Sequence, residues 1–278
     1  MRPTMKREFE PGKGPPWIVG EELAHLHDAA IDYAVTVHQR ATEINLHDPH
    51  ISYQALAILH MRAVTIHRAI LNLCELGWTP VASILIRTLL DLYANVIAIG
   101  MVPENVHFMA FRYLCHHQLV RLHDTTVSKE QRAQITKEME IALPGLPRED
   151  AERVRLLLKE YPRKNYWYQP EFASPSAILG QTKGEMAFIY RAFSGSVHGG
   201  VVGLGFLDGK PDEFDINPRE HPRRTPLAIA MSSRLLLEIT LLRDGSEDTK
   251  QGEMYSHIKN ELFMPLRGII DVAEEVAE

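Results

Sequence analysis

Arginine, serine and histidine follow one another closely in "YRAFSGSVHGG", residues 190 to 200. Read as a helix, Arg191 and His198 are separated by a rotation of about 700° and a rise of about 10.5 Å, so they share one face. Side chains lean toward the helix N-terminus, which carries the His198 imidazole back toward the Arg191 guanidinium. Gly195 leaves room beside Ser194 for a ligand to approach the backbone. Gly199 and Gly200 are natural helix terminators, which puts His198 in a last turn where the helix dipole favours the imidazolium. A guanidinium and an imidazolium above Ser194 suit a phosphate, and the imidazolium can protonate a leaving alkoxide.

Other polar residues interrupt apolar helical patterns. Arg87 and Asp91 stand at i, i+4 in "ILIRTLLDLY", and Arg112 and His116 repeat the spacing in "AFRYLCHHQL". A charge buried alone costs several kcal/mol, so each must find a polar partner, either as a structural ion-pair network or as the wall of a polar pocket. Arg234 and Glu238 have the same spacing, and there a simple intrahelical pair is expected. The sequence holds no Walker A loop, no Cys-x-x-Cys and no His-Glu-x-x-His. Glu22 and His25 make the Glu-x-x-His spacing that a di-metal bundle uses on its facing helices, but neither a metal nor a cofactor is expected.

Helices must position these groups. The segment "EELAHLHDAAIDYAVTVHQRATEI" places Leu23, Leu26, Ala30, Tyr33, Ala34 and Val37 on one stripe. "SYQALAILHMRAVTIHRAILNLCELG" continues the pattern and stops at Gly77, a C′ glycine. Thr79-Pro80 reads as N-cap and first turn of "VASILIRTLLDLYANVIAIG", the most apolar helix and hence the expected centre. Pro103 and Glu104 open the next helix, and a charged helical pair runs from Ser128 to Glu160. Residues 161 to 182 read as a loop with an aromatic cluster, and a helix from about Gly184 leads into the Arg191 segment. Val201 to Leu207 could be a short extended piece. Thr225-Pro226 repeats the cap signal ahead of "LAIAMSSRLLLEITLLR", and an amphipathic helix covers roughly 251 to 276.

The fold class is therefore all-α, a multi-helix bundle of about eight or nine helices. Residues 1 to 18, with Pro3, Pro11, Pro15 and Pro16, read as a flexible tail. Residues 19 to 278 read as one helical domain with a charged helical insertion at about 125 to 165. The composition, 45% apolar and 24% charged over 278 residues, is that of a soluble globular protein. A net charge of −6 excludes a broadly basic nucleic-acid binder, so any RNA contact needs a local patch. Two basic clusters exist, Arg148, Arg153, Arg155, Lys159, Arg163 and Lys164, and then Arg219, His221, Arg223 and Arg224, both interleaved with acids. Neither a signal peptide nor a membrane span is read, and Cys74 and Cys115 read as reduced core thiols, so a cytoplasmic location is expected.

The Arg191 to His198 spacing resembles the signature of the HEPN superfamily of helical nucleases and nucleotide-handling domains: Arg, four to six residues, then His. That resemblance implies a HEPN-like core, with Arg191 on the scissile phosphate and His198 in proton transfer, without a metal. It implies attack by an RNA 2′-hydroxyl to leave a cyclic phosphate, and a homodimer in which two motifs meet. Arg40 to His47, Arg62 to His67 and Arg112 to His117 also match the spacing. The position after the arginine, often polar in that superfamily, is Ala192 here.

A second resemblance covers roughly residues 50 to 205. "LIRTLLDLYAN", "FRYL", the tryptophan of "YWY" and "YRAFSGSVHG" follow the order found in a bacterial family known by a domain-of-unknown-function number, with Asp91 where glutamate would be expected. It implies that Arg87, Asp91, Arg112 and Tyr190 belong to one polar pocket with Arg191 and His198. Two functions follow as expectations. One is a metal-independent endoribonuclease, a toxin or phage-defence effector acting on RNA. The other is a non-catalytic module that binds a small anionic ligand or a protein partner in the same pocket.

Overall fold

The structure, a computed structural model, describes residues 21–42, 51–101, 105–161, 167–168, 172–182, 186, 190 and 225–244. Among these residues it contains eight α-helices and no strand, which is the expected all-α class. In chain order they are α1 (Glu21–Thr42), α2 (Ile51–Glu75), α3 (Thr79–Gly100), α4 (Val106–Leu122), α5 (Lys129–Ala142), α6 (Arg148–Lys159), α7 (Pro175–Thr182) and α8 (Thr225–Asp244). A 3-10 turn, Leu143–Gly145, joins α5 to α6. The tail at 1–18, the extended piece at Val201 to Leu207 and the helix at 251 to 276 lie outside the described residues.

The described helices fall into two compact units. The first gathers α1, α2 from Ala63 onward, α3 as far as Leu90, Tyr190 and α8. Its α1 buries His27, Ala30, Ala34, Val37 and Ala41, alternate steps of three and four that keep one stripe inward. Three alanines in that stripe let α1 lie close along α8. α2 continues the same stepping with Ala63, His67, Ile70 and Cys74. It ends as the sequence predicts: Gly77 takes φ 75°, a region open to glycine, and closes the helix. The Trp78 N–H reaches the Leu73 carbonyl at 2.8 Å and the Gly77 N–H reaches that of Cys74 at 3.1 Å, a Schellman motif.

Two expectations for α3 are corrected. The Trp78 carbonyl accepts the Ala82 N–H at 3.0 Å, so Trp78 holds the capping position and Thr79 is already helical. The Thr79 hydroxyl instead meets the Thr225 hydroxyl at 2.6 Å, so the two Thr-Pro starts bond to each other. In the first unit α8, and not α3, is the helix enclosed on all sides. It is buried at every position from Ala228 to Thr240, whereas α3 exposes Ile84 and Thr88.

The second unit holds α2 up to Arg62, α3 from Asp91, α4, α5, α6 and α7. Here α3 is central, with Leu92, Tyr93, Ala94, Val96, Ile97, Ala98 and Ile99 buried. α3 is the one described helix long and apolar enough to cross a membrane, and 67% of its most apolar window is covered by the rest of the protein. The charged pair α5 and α6 lies against α4. Ser128 caps α5 through a reciprocal box, its hydroxyl accepting from the Gln131 N–H at 3.2 Å while the Gln131 side chain accepts the Ser128 N–H. Burying an aromatic such as Phe111 of α4 contributes about 1.5–3 kcal/mol.

The loop expected over 161 to 182 is partly helical. Ser174 starts α7, accepting the Ala177 N–H on its hydroxyl at 3.1 Å, and Pro175 sits in the first turn, where a missing N–H costs nothing. The aromatic cluster is a real anchor, because Tyr161, Trp167, Tyr168 and Phe172 are all buried. The Trp167 indole N–H donates to the Asn95 side chain at 2.8 Å, and the Tyr113 ring meets Trp167 edge-on at 5.4 Å.

Candidate functional site

Arg191, Ser194 and His198 lie outside the described residues. Of the supporting residues, Arg87 and Tyr190 come together in the first unit. Tyr190 is helical and buried, and its hydroxyl accepts a hydrogen bond from the Arg87 guanidinium. The same guanidinium carbon sits 3.5 Å from the centre of the Tyr190 ring. Arg87 therefore uses Tyr190 twice, once through the phenol oxygen and once through the ring face.

Asp91 and Arg112 belong to the second unit. Asp91 is half-buried on α3. Arg112 is 3% exposed on α4, its guanidinium 5.6 Å from the Phe108 ring centre and 3.9 Å from the Met109 sulfur. It does not pair with His116, which is itself basic. His116 bonds the Tyr161 hydroxyl at 2.8 Å instead. Burial, and then the nearby Arg112 charge and His117, hold the His116 imidazole below its usual pKa. The Arg234–Glu238 pair forms as expected, at 3.5 Å, yet both side chains are almost wholly buried.

One buried polar group of the first unit entered the sequence reading only as the end of the Arg62 to His67 spacing. His67 of α2 is fully buried; its Nε2 lies 3.1 Å from the Ser233 hydroxyl of α8 and its Nδ1 lies 3.4 Å from His38 Nδ1 of α1. The His38 and His67 ring planes differ by 21° and their centres are 5.6 Å apart. Nearly all the separation beyond 3.4 Å is made up by the two ring radii, so the rings meet nitrogen to nitrogen and not face to face. Burial, then the neighbouring His38, push the His67 pKa down to about 3. The available signal was position: His67 stands on the buried stripe of α2, where an apolar side chain would otherwise be expected.

Both cysteines behave as core thiols. Cys74 is buried and its pKa rises to about 12; Cys115 is partly buried and rises to about 11, in each case by desolvation. The basic cluster over 148 to 164 is thinned by internal contacts. Arg153 covers the Phe108 ring at 3.7 Å and bonds Asn105 at 2.6 Å and Asp150 at 3.4 Å, while Arg148 faces Glu152 at 3.5 Å. A groove of about 350 Å³ between α5 and α6 is lined by Glu140, Leu143, Pro144 and Arg155, of which only Arg155, in the first basic cluster, was singled out in the sequence.

The helices and these couples define an all-α protein in which arginine and histidine side chains are held inside helix–helix contacts. Residues 53–214 match the family of unknown function DUF5677, and the chain belongs to that family. The domain-of-unknown-function resemblance read over residues 50 to 205 is borne out by this match. No curated protein and no solved structure matches the chain.

Proposed function

We propose that the chain is a metal-independent endoribonuclease of HEPN-like type, a toxin or phage-defence effector, in which Arg191 binds the scissile phosphate and His198 transfers a proton. On this reading Ser194 and Gly195 receive the phosphate, and two copies of the motif meet in a homodimer. The supporting observation is the Arg87–Tyr190 couple. Tyr190 precedes Arg191 directly in the chain, and its phenol and ring are both engaged by one guanidinium on α3. An anchored neighbour limits the geometries open to the next residue. The chemistry needs only a cation on the phosphate and a proton donor for the leaving oxygen.

The second reading is a non-catalytic module that binds a small anion or a protein partner. It is favoured by Ala192, by the net charge of −6 and by the internal use of Arg153, which removes one cation from a would-be RNA surface. One assay separates the two. The purified full chain is incubated with structured RNA in the presence of a chelator, alongside Arg191→Ala and His198→Ala. Cleavage by the wild type that persists with chelator and is lost in both variants is the expected result. No cleavage of any RNA by the wild type, with a ligand-induced thermal shift that Arg191→Ala abolishes, establishes the binding module instead.

A further inference from the structure

Two short stretches of the second unit repeat one pattern with opposite charge. On α5, Met139 is buried, and Glu140 and Ile141 are exposed. On α6, Val154 is buried, and Arg155 and Leu156 are exposed. In each triplet the third residue stands about 200° round the helix from the first and faces away from the core, while the middle one stands about 100° round, on the flank. Glu140 and Arg155 line one groove of about 350 Å³, together with Leu143 and Pro144 of the 3-10 turn that joins the helices. They take part in neither of the ion pairs described for α6, Arg148–Glu152 and Arg153–Asp150. Ile141 is 72% exposed, the most of any large apolar residue described, and Leu156 is 64% exposed. One such residue is ordinary on a surface. Two that flank a single groove form a patch of the kind that marks a protein contact.

We propose that this face pairs with the same face of a second copy of the chain, in a two-fold contact where Ile141 meets the partner's Leu156 and Glu140 meets the partner's Arg155. The charges choose the occupant. An acidic segment or an anionic membrane brings its charge against Glu140, and a basic segment brings its charge against Arg155. A surface carrying one charge of each sign at the same spacing satisfies both, and the chain itself supplies that surface. In a two-fold contact every pairing occurs twice, so one pattern yields two Glu–Arg pairs and two Ile–Leu contacts. The patch is small, so the contact is weak and depends on concentration. It uses no residue of the Arg191 to His198 segment and is separate from the motif-to-motif dimer of the proposed function. Where both contacts form, one chain touches two others and the assembly grows beyond two copies.

The test is sedimentation velocity on the full chain from about 1 μM to about 1 mM, the range in which so small a contact half-forms. The wild type's sedimentation coefficient should rise with concentration. Ile141→Glu and Leu156→Glu, exposed positions whose folding is checked by melting curves, should each move the midpoint up at least about tenfold. Glu140→Arg and Arg155→Glu, each alone, should also weaken the rise, because each sets like charges against one another across the contact. Mixed in equal amounts, those two variants should associate again, since one carries two bases on the face and the other two acids. The proposal is overturned if the wild type sediments unchanged over the range, if the charge variants associate as it does, or if the mixture stays as dissociated as its components. A chain that does not self-associate but binds phosphatidylglycerol vesicles through Ile141 overturns it as well and makes the face a membrane contact. The motif dimer sets only the species present at low concentration, where RNA cleavage by Ile141→Glu reads it separately, so either reading can fail without the other.

Discussion

Taking the protein from pH 7 to pH 5 should lower its stability by about 2 kcal/mol through His67 alone. The folded pKa of this ring is about 3, set first by burial and then by His38. In the unfolded chain it returns to about 6.5. Between those values the unfolded state takes up a proton that the folded state refuses. The contribution is therefore fully present above pH 6.5 and is lost as pH falls toward 3, at about 1.4 kcal/mol per unit once the unfolded ring is charged. Because the side chain is fully buried, solvent screening does not shrink the effect. His38 pushes in the same direction, its pKa being lowered by burial and by Arg68.

His67→Gln isolates the effect. A glutamine amide can donate to Ser233 and its carbonyl can accept from His38, so both contacts survive while the titration disappears. Urea unfolding of both proteins at pH 7, 6 and 5 gives the comparison. The variant should be about 1 kcal/mol weaker at pH 7, from imperfect packing. Its deficit should shrink by about 0.7 kcal/mol at pH 6 and reverse at pH 5, because the carboxylates and remaining histidines titrate in both proteins and cancel. If the variant loses as much stability as the wild type over this range, the neutral buried imidazole is not the cause.

Two further outcomes follow from buried groups. Thr79→Val or Thr225→Val should each cost about 1–2 kcal/mol, since each leaves the other hydroxyl buried without the partner it holds at 2.6 Å. The double variant should cost less than the sum of the singles, and a double-mutant cycle in urea measures the difference. The two thiols should be nearly inert toward a disulfide reagent in the native protein at pH 8, since burial raises Cys74 to about 12 and Cys115 to about 11. Both should react at once after denaturation; rapid native labelling of Cys74 would show that its surroundings open.

The helices were legible because burial on one side leaves a period. Ala30, Ala34 and Val37 of α1, and the Gly77 stop of α2, were read directly from spacing. α7 was not, because Pro175 and Ser174 carry turn chemistry as readily as helix-start chemistry, and the segment is too short to show a period. Thr79 looked like a cap because a hydroxyl before a proline usually is one. Its alternative partner, Thr225, is remote in sequence and no local rule could supply it. The same limit applied to the candidate site. Arg87 and Arg112 stood out as charges in apolar helices, and both proved to be held by aromatic rings: Tyr190, remote along the chain, for Arg87, and Phe108, within Arg112's own helix.

α8 shows why apolar content ranked the helices wrongly in the first unit. α3 is the more apolar of the two, yet α8 is the one enclosed on all sides. Its interior face carries Thr225, Ser233, Arg234 and Glu238, each bonded to a group that is itself buried or part-buried. Two of those bonds reach other helices, Thr225 to Thr79 on α3 and Ser233 to His67 on α2. A wholly apolar helix in the same place could slide or rotate while keeping most of its contact area, since burial has no direction. Here a shift of one residue would carry Ser233 away from His67 and Thr225 away from Thr79 together, leaving buried donors without acceptors at about 1–3 kcal/mol each. The polar residues lower the average hydropathy of α8 and in return fix its register against α2 and α3.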